Sequence, residues 1–594
     1  METGVSICSA HDAIVGSSLY TCVRAREVSP WIKVFGLAMP GWRQSIAARS
    51  RTPPPRCEQM SHWLGLWAWG HASAADVVRH ARAFKRDGNR DPVVDRLLKA
   101  AGDIDNAERA LQTILPNDLV QSTAVPGSTV KEVILPTATM RWLQATNSRL
   151  FRVRLGAAPE GVADWWSKLR ASADGRRFWE RHPWLQGRTP EDLRWHLPLV
   201  LHDDAGPVSN LHSAYVRNWY SILGTGRETE TRFLLSSHMK QSDDPGVDHS
   251  WPVVLASFEE LARPVRQGQW GAILLFVSGD FDYVCNDLGL PHFNALECCF
   301  LCAANTTTRP HNDYHADAGW RSTIKTDAEF SAALRRPLHP LVSHPMFSRW
   351  SYRLDLLHLL DHHGVASHVT ANIMAMHLGH QNNVLPGASQ DERMSFLNDE
   401  IQEWYSLRRV DCRLPRLRLA SIYRDGFPEL HGNAVKAANT RALVPFVAEL
   451  AKRAVDVDPS ELNKHGLKVI ESLNAVYELL YSADYFLSTE QVRALRKHLT
   501  RMGSHYQLLA VRTSASGETK WKQTVKTHYA VGHLADQAVL INPRFVQTYG
   551  SEGLVGKIAA IYKRSQDGPF HASLQKKVLT KYRVGMAIDF MPVR

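Results

Sequence analysis

The chain has 594 residues, of which 44% are hydrophobic and 22% are charged, and its net charge is +11. The sequence predicts a globular, intracellular protein of several domains, because the apolar run "WGAILLFV" is too short to span a bilayer and the amino terminus lacks the blocks of a signal peptide. Eight cysteines are too few for a disulfide scaffold. The excess of Lys and Arg favours a polyanionic partner.

The first third of the chain is predicted to be helical after an irregular start. Residues 1–56 include the basic, Pro-rich "RQSIAARSRTPPPR", where we expect disorder. Residues 57–192 form a mainly helical module, in which "VKEVILP" and "RLFRVRLG" are predicted as short strands. The tryptophans of "WLGLWAWG" are predicted to lie in its core; they are Trp63, Trp67 and Trp69.

The pattern changes to strands in residues 193–297. "LPLVLHDDA", "YSILGTG" and "RFLLSSHM" are predicted as strands, "WPVVLASFEELARPVRQ" as an amphipathic helix, and "GAILLFVSGD" as a further buried strand. The first and last of these strands end in the carboxylates Asp204 and Asp280. Parallel neighbouring strands would bring these ends together, and sites in open α/β sheets lie at the carboxyl ends of the strands.

The second half of the chain is predicted to be nearly all helix. Two Ser residues followed three positions later by Glu or Gln fit capping boxes before apolar runs, at Ser389–Glu392 and Ser488–Gln491. No Walker A loop, no GxGxxG and no GxSxG is present in the sequence.

Three acidic residues on two strands and a helix predict a two-metal site. Two Mg²⁺ or Mn²⁺ ions about 3.5–4 Å apart activate a water or a 3′-hydroxyl and stabilise the leaving oxygen of a phosphodiester. Asp204 and Asp280 fit the strand positions, with Asp203 as the alternative to Asp204. Glu552 in "TYGSEGLVGKIAAIYKR" fits the helix position, because apolar spacing resumes directly after it. A turn or a helix cap is the alternative explanation for each acid taken alone.

A second, structural metal site is predicted from the cysteines. Cys299 and Cys302 in "CFLC" have the spacing of half a zinc site, and "LDLLHLLDHHG" supplies three histidines further along the chain. We predict that Zn²⁺ is held by Cys299, Cys302, His358 and His363, with His362 as the alternative fourth ligand. Buried thiols and helix-capping histidines are the ordinary explanation of the same residues.

Two further histidines lie in "KTHYAVGHLADQ". His528 and His533 could line the acidic pocket, but we predict that they lie on a partly exposed polar face of a helix.

Three segments of the sequence carry a family resemblance. "SGDFDYVCNDLGLPHFNALECCFLC", "YRLDLLHLLDHHGVASHVTANIM" and "INPRFVQTYGSEGLVG" resemble, in this order, segments of CACTA (En/Spm-type) transposases and of a large group of transposase-like proteins. The resemblance implies an RNase H-like α/β core with a mixed sheet and a large all-α insertion. It assigns residues 193–297 to the first part of the core, 298–520 to the insertion, and 521–570 to the end of the core with the third acid.

The resemblance also implies a function. It predicts a nuclear, transposase-like DNA-processing enzyme that hydrolyses phosphodiesters and transfers strands with Asp204, Asp280 and Glu552. The alternative is a nucleic-acid-binding protein that keeps the fold without catalysis. DNA is the expected partner, no membrane is expected, and self-association is left open.

The carboxyl-terminal part of the chain is strongly basic. From Lys557 to Arg594 it has eight Lys and Arg residues against two Asp, and residues 571–594 are predicted as a basic tail. We predict that the phosphates of DNA are contacted by Lys557, Lys563, Arg564, Lys576, Lys577, Lys581 and Arg583. A solvated helix face is the alternative.

Overall fold

The computed structural model describes residues 56–88, 91–102, 107–115, 118–209, 212–227, 230–240, 248–334, 336–379, 384–518, 520–565 and 571–590. The predicted disordered segment lies outside these residues except for Arg56.

The helices are defined here in chain order. They are α1 (Arg56–Ala68), α2 (Ala74–Arg86), α3 (Pro92–Ala101), α4 (Ala107–Leu111), α5 (Pro136–Thr146), α6 (Ser148–Leu155), α7 (Pro159–Ala171), α8 (Gly175–Arg181), α9 (Ser250–Ala262), α10 (Asp327–Ala332), α11 (Pro340–Ser343), α12 (Val365–Leu378), α13 (Gln390–Arg408), α14 (Ala437–Val457), α15 (Glu461–Ser482), α16 (Thr489–Ala515), α17 (Val525–Ala538), α18 (Tyr549–Lys563) and α19 (His571–Phe590).

Among the described strands, four have eight to twelve residues and the others have two each. They are β1 (Thr123–Ala124), β2 (Glu132–Val133), β3 (His196–Pro207), β4 (Ser213–Ser221), β5 (Phe233–Lys240), β6 (Gly271–Ser278), β7 (Tyr352–Arg353), β8 (Tyr423–Arg424) and β9 (Phe427–Pro428).

The described residues form two compact units. The sheet unit comprises residues 56–166, Gly187–Val277 and 549–590, and the helical unit comprises Ser167–Gln186 and Ser278–Thr548. The chain therefore leaves the sheet unit twice, first for Ser167–Gln186 and then at the end of β6, and it returns for the last time at the start of α18.

Strand β3 lies inside the sheet of the sheet unit, where the strand order is β5-β4-β3-β6. The β3–β4 and β4–β5 pairs are antiparallel, with Asp204 opposite Val216. The Gly271 N–H at the start of β6 donates to the Trp195 carbonyl just before β3, at 2.9 Å. Because these neighbouring strands begin side by side, they run in the same direction and the sheet is mixed. The predicted α/β class is confirmed.

Most of the strands predicted around the acids are present, with two corrections. "RFLLSSHM" and "GAILLFVSGD" correspond to β5 and β6, and the predicted amphipathic helix is α9. "YSILGTG" is wrong as a strand, because β4 runs earlier in the chain and ends at Ser221, where a turn follows. "RLFRVRLG" is helix α6 instead, because the Asn147 side chain caps it and Phe151 and Leu155 are buried four positions apart on one helix face.

Helices α1–α4 of the sheet unit form a small packed module. Trp67, Val77, Leu97 and Leu111 lie in one hydrophobic core, which confirms a core position for Trp67, while Trp63 packs against it half-buried. Ser73 begins α2 with a capping box, since its hydroxyl accepts from the Asp76 N–H and the Asp76 carboxylate accepts from the Ser73 N–H.

The helical unit is built around long helices that pack in succession. Helix α14 packs on α15, α15 on α16, and α16 on α17. Both predicted capping boxes are confirmed, at the starts of α13 and α16. Among the described residues, we find no helix with the length and apolar character needed to cross a bilayer.

Candidate metal centres

The side chains of β3 alternate between two environments because successive strand residues point to opposite faces. His202 and Asp204 share one face. Asp203 lies on the other, where its carboxylate accepts from Arg217 Nε at 2.9 Å, and the same guanidinium reaches Asp248 at 3.0 Å. Burial raises the pKa of Asp203, and its ion pair with Arg217 opposes that rise. Asp203 is therefore half of a buried ion pair, and Asp204 is the acid that faces the candidate site.

The face of β3 that carries Asp204 meets the first turn of α18. Ligand atoms of His202, Asp204 and Glu552 all lie within 4.8 Å of one another, and His202 Nε2 is 3.9 Å from Glu552 Oε1. Asp204 is 7% exposed, whereas 26% of the Glu552 side chain reaches solvent. The helix N-terminus also favours the negative charge of Glu552. Two of the three predicted catalytic acids therefore converge within the sheet unit.

Gly206 allows α18 to lie this close to β3. A Cβ atom at position 206 would be 2.4 Å from Val555 Cγ1, well inside van der Waals contact. Val555 follows Glu552 by one helical turn, so the glycine sets the distance between the carboxylate and the strand.

A buried hydrogen-bond chain orients His202. The Asn218 side-chain amide donates to His202 Nδ1 at 3.0 Å, and the Ser551 hydroxyl donates to Asn218 Oδ1 at 2.9 Å. With the amide in this orientation, neutral His202 carries its proton on Nε2, which faces Glu552. The residue preceding Glu552 thus helps to hold the imidazole that lies beside that carboxylate.

Asp280 belongs to the helical unit and follows the end of β6. Its Oδ1 accepts from the Tyr283 N–H at 2.7 Å, at the start of a π-helical turn (Tyr283–Asp287). This is the turn-capping contact that an acid after a strand makes on its own. The catalytic role of Asp280 stays a prediction.

The chemistry of the Asp204 site suits a hard divalent cation. Carboxylate oxygens are preferred by Mg²⁺ and Mn²⁺, and an imidazole beside them is tolerated better by Mn²⁺ than by Mg²⁺. His202 Nε2 could become a ligand only if its proton moved to Nδ1 and the Asn218 amide turned over.

A second candidate centre lies in the helical unit, where two cysteines meet two histidines of α17. Ligand atoms of Cys299, Cys302, His528 and His533 all lie within 4.8 Å of one another, and the four residues are buried. Cys299 Sγ is 3.4 Å from His533 Nε2, Cys302 Sγ is 3.4 Å from His528 Nε2, and the two Nε2 atoms are 3.3 Å apart.

These distances match the edges of a tetrahedral zinc site. Bonds of about 2.3 Å to sulfur and about 2.05 Å to nitrogen at tetrahedral angles give about 3.6 Å for an S···N edge and about 3.3 Å for an N···N edge. The observed S···N and N···N separations lie within about 0.2 Å of these values. The group is thus compatible with a closed, four-ligand metal site.

The surroundings favour negative charge on one of the two sulfurs, that of Cys299. The Leu301 N–H donates to Cys299 Sγ at 3.3 Å and the Ala304 N–H donates to Cys302 Sγ at 3.4 Å. Burial alone would raise the pKa of Cys299, but the Cys302 thiol and the imidazoles lower it well below the usual value. The hydrogen bond to Cys299 raises the pKa of Cys302, and burial lowers the pKa of His528. Neutral imidazole and thiolate are the forms that bind zinc.

The predicted histidine ligands of this centre are corrected. His358 Nδ1 instead contacts Asp355 Oδ2 at 2.7 Å, and His363 Nδ1 contacts Glu429 Oε1 at 2.5 Å. The ring of His362, the alternative ligand, lies edge-on to that of His358 and tilted against that of His363. Its pKa is lowered to about 3 by burial and by the charges of these two histidines.

His528 and His533 were expected on a partly exposed helix face, and that expectation is also wrong. They are 0% and 2% exposed. Trp320 packs edge-on against His528, with ring centroids 4.4 Å apart. The available sequence signal was the pair of histidines five positions apart, with only Tyr-Ala-Val-Gly between them.

The basic residues predicted to bind DNA divide into two groups. Lys581 is 3% exposed; its Nζ lies 5.1 Å from the Trp67 ring and 3.7 Å from Glu108, so it does not face solvent. Arg583 donates to the Val120 carbonyl, and Lys557 lies 4.5 Å above the Trp69 ring. The exposed members are Lys563, Arg564, Lys576 and Lys577.

Comparison of the chain with protein-family models gave no match, and comparison with curated proteins gave none either.

Proposed function

We propose that this chain is a transposase-like DNA-processing protein that cleaves phosphodiester bonds with a divalent metal ion held by Asp204 and Glu552. The observation that carries the proposal is the convergence of these two carboxylates, from a strand and a helix far apart in the chain, beside His202. Asp280 is proposed as the third acid on the sequence resemblance. A nuclear location and DNA as the substrate belong to the same proposal.

The fold of the sheet unit supports an RNase H-like core. Asp204 lies on a strand with an antiparallel neighbour on one side and a parallel neighbour on the other, and Glu552 lies in a helix that follows a long intervening segment. An acid on a strand, then a helical segment, then an acid on a helix is also the order that the family resemblance implies.

Each residue of the site has a separate role in this proposal. A bound Mg²⁺ or Mn²⁺ would activate water and stabilise the leaving oxygen of a phosphodiester. Asp204 and Glu552 supply its carboxylate ligands. His202 directs its Nε2 proton toward Glu552, and Asn218 and Ser551 keep His202 in this orientation.

We also propose that Cys299, Cys302, His528 and His533 hold a structural Zn²⁺. Four protein ligands leave no open position for substrate, so the site would tie the segment around "CFLC" to α17 without a catalytic role.

Cleavage of linear duplex DNA tests the proposed function. The wild-type chain should cleave DNA in Mn²⁺ or Mg²⁺ and not in EDTA, and Asp204→Asn or Glu552→Gln should lower the rate at least about 1,000-fold. Glu160→Gln is the matched control, because Glu160 is an exposed carboxylate of the same unit (82% of its side chain). Metal-independent cleavage, or equal rates in Glu552→Gln and the control, would contradict the proposal. DNA binding without cleavage would favour the non-catalytic alternative.

A further inference from the structure

A basic cleft lies on the N-terminal helical module, between α2 and α3. Its volume is about 630 Å³, and its described lining consists of four cationic residues, Arg79, Arg82, Lys85 and Arg86, and the half-buried Leu98. The sequence prediction of DNA contacts concerned only the carboxyl-terminal segment, so this surface is additional to it.

Two of the cations, Arg79 and Arg86, lie on the face of α2 opposite its core, whereas Arg82 and Lys85 lie on the side that adjoins α3. Val77, Val78 and Ala81 are fully buried, which fixes the rotation of the helix. Arg79 and Arg86, two turns apart, therefore point to solvent, and both are exposed.

Local contacts hold the walls of the cleft in place. Arg82 Nη2 donates to the Gly102 carbonyl at the end of α3, at 3.1 Å, and Lys85 pairs with Asp95 of α3. Arg79 pairs with Asp76 one turn earlier in α2. These ion pairs are exposed, with 61% of the Arg79 side chain and 47% of the Lys85 side chain reaching solvent. Exposed pairs of this kind contribute little to stability, so their cations are available to a polyanion.

We propose that this cleft binds the phosphate backbone of duplex DNA. Arg79 and Arg86 are separated by seven residues, or about 10.5 Å along the helix. One strand of a duplex advances 3.4 Å along the axis for each phosphate, so the row of cations is as long as about three phosphate steps. One guanidinium group can donate two parallel hydrogen bonds to the oxygens of a phosphate. The proposal rests on the proposed function in one respect, since cleavage of DNA requires that DNA be held.

The same surface does not suit a membrane. Interfacial helices insert a broad apolar face between lipids, whereas the apolar face of α2 is buried in the module and Leu98 is the one apolar residue in the described lining of the cleft. Positive charge without an apolar anchor fits a solvated polyanion.

The test is the salt dependence of duplex binding, measured in EDTA on the Glu552→Gln chain so that no cleavage occurs. The cleft variant carries Arg79→Gln, Lys85→Gln and Arg86→Gln; Arg82 is kept because it caps α3. The matched control is Lys452→Gln, Arg493→Gln and Lys497→Gln, which removes three exposed cations of the helical unit.

Three lost phosphate contacts should reduce the slope of log affinity against log salt by about 2.7. Raising the salt from 50 to 200 mM should therefore weaken DNA binding by a factor about 40 times smaller in the cleft variant than in the parent chain. The slope of the control variant should change little. The single charge reversal Arg86→Glu should shift the slope in the same direction, and matching thermal unfolding shows that the variants are folded.

An unchanged slope in the cleft variant, or equal changes in cleft and control variants, would overturn the inference. So would tighter binding of anionic lipid vesicles than of the duplex. In either case the cleavage assay of the unmodified chain still decides the proposed function, because it is read separately from binding.

Discussion

The substitution Gly206→Ala tests whether the approach of α18 to β3 builds the Asp204 site. The new Cβ would lie 2.4 Å from Val555 Cγ1, about 1 Å inside the shortest ordinary contact. Val555 is β-branched and has one favoured rotamer in a helix, so it cannot turn away. We therefore expect the helix itself to move by about 1 Å and to carry Glu552 with it.

This displacement has two measurable consequences. Overpacking of this kind costs about 1–3 kcal/mol of unfolding free energy. A misplacement of about 1 Å at a catalytic group lowers the rate about 100-fold. Thermal unfolding, Mn²⁺ titration and the duplex cleavage rate should therefore all change together.

The double variant Gly206→Ala/Val555→Ala is the control. Removing Cγ1 leaves Val555 Cβ as the next atom, 3.9 Å from the new methyl group, which is an ordinary contact. The Val555→Ala change alone costs about 1–3 kcal/mol by leaving a cavity, but the pair should be less harmful than the sum of the two single changes. If Gly206→Ala kept wild-type metal affinity and cleavage, or if the double variant restored nothing, the close approach would not be what positions Glu552.

Three further predictions concern other parts of the chain. His533→Ala should lower the zinc content of the purified chain from about one ion toward zero, while His363→Ala should leave the zinc content unchanged. Elemental analysis of both variants checks this. The reverse result would restore the ligands that were expected from the sequence. Burial opposes ionisation of Glu429, but the hydrogen bond with His363 and nearby cations lower its pKa from 4.5 to about 2. Ionised Glu429 therefore stabilises the fold above pH 4.5, and this contribution is lost as the pH falls toward 2. Urea unfolding across this range should show that Glu429→Gln removes about 1–2 kcal/mol of pH-dependent stability, and an identical pH profile in wild type and variant would contradict the prediction. Lys581→Ala should cost about 1–2 kcal/mol in thermal unfolding because it loses the Trp67 ring, whereas the exposed Lys576→Ala should stay within about 0.5 kcal/mol; equal effects would contradict the buried position of Lys581.

The sequence predicted the candidate site best where the position of a side chain depends only on its neighbours along the chain. Strand alternation already required His202 and Asp204 to share a face. It could not say whether that face or the face of Asp203 carried the site, because the decision rests on Arg217, which comes from the neighbouring strand. The apolar spacing after Glu552 likewise predicted helix α18, but it could not predict how close that helix lies to β3.

The proposed zinc ligands show more clearly what sequence spacing cannot predict. The Cys-x-x-Cys pair is local and was visible, but its histidines lie 226 and 234 positions from the cysteines that they contact. His358 and His363 are the same residue type and lie closer in sequence, so only the packing of α17 distinguishes the two pairs. Lys581 was mistaken for a surface cation for a similar reason, since the Trp67 ring that covers it belongs to α1.

The most direct test of the proposed function is anomalous diffraction from crystals soaked in Mn²⁺. A two-carboxylate site predicts a manganese peak about 2.0–2.2 Å from carboxylate oxygens of both Asp204 and Glu552. The peak should disappear from Glu552→Gln crystals prepared in the same way. A peak that touches neither carboxylate, or none at manganese concentrations that support cleavage, would contradict the proposal that these residues hold the catalytic metal.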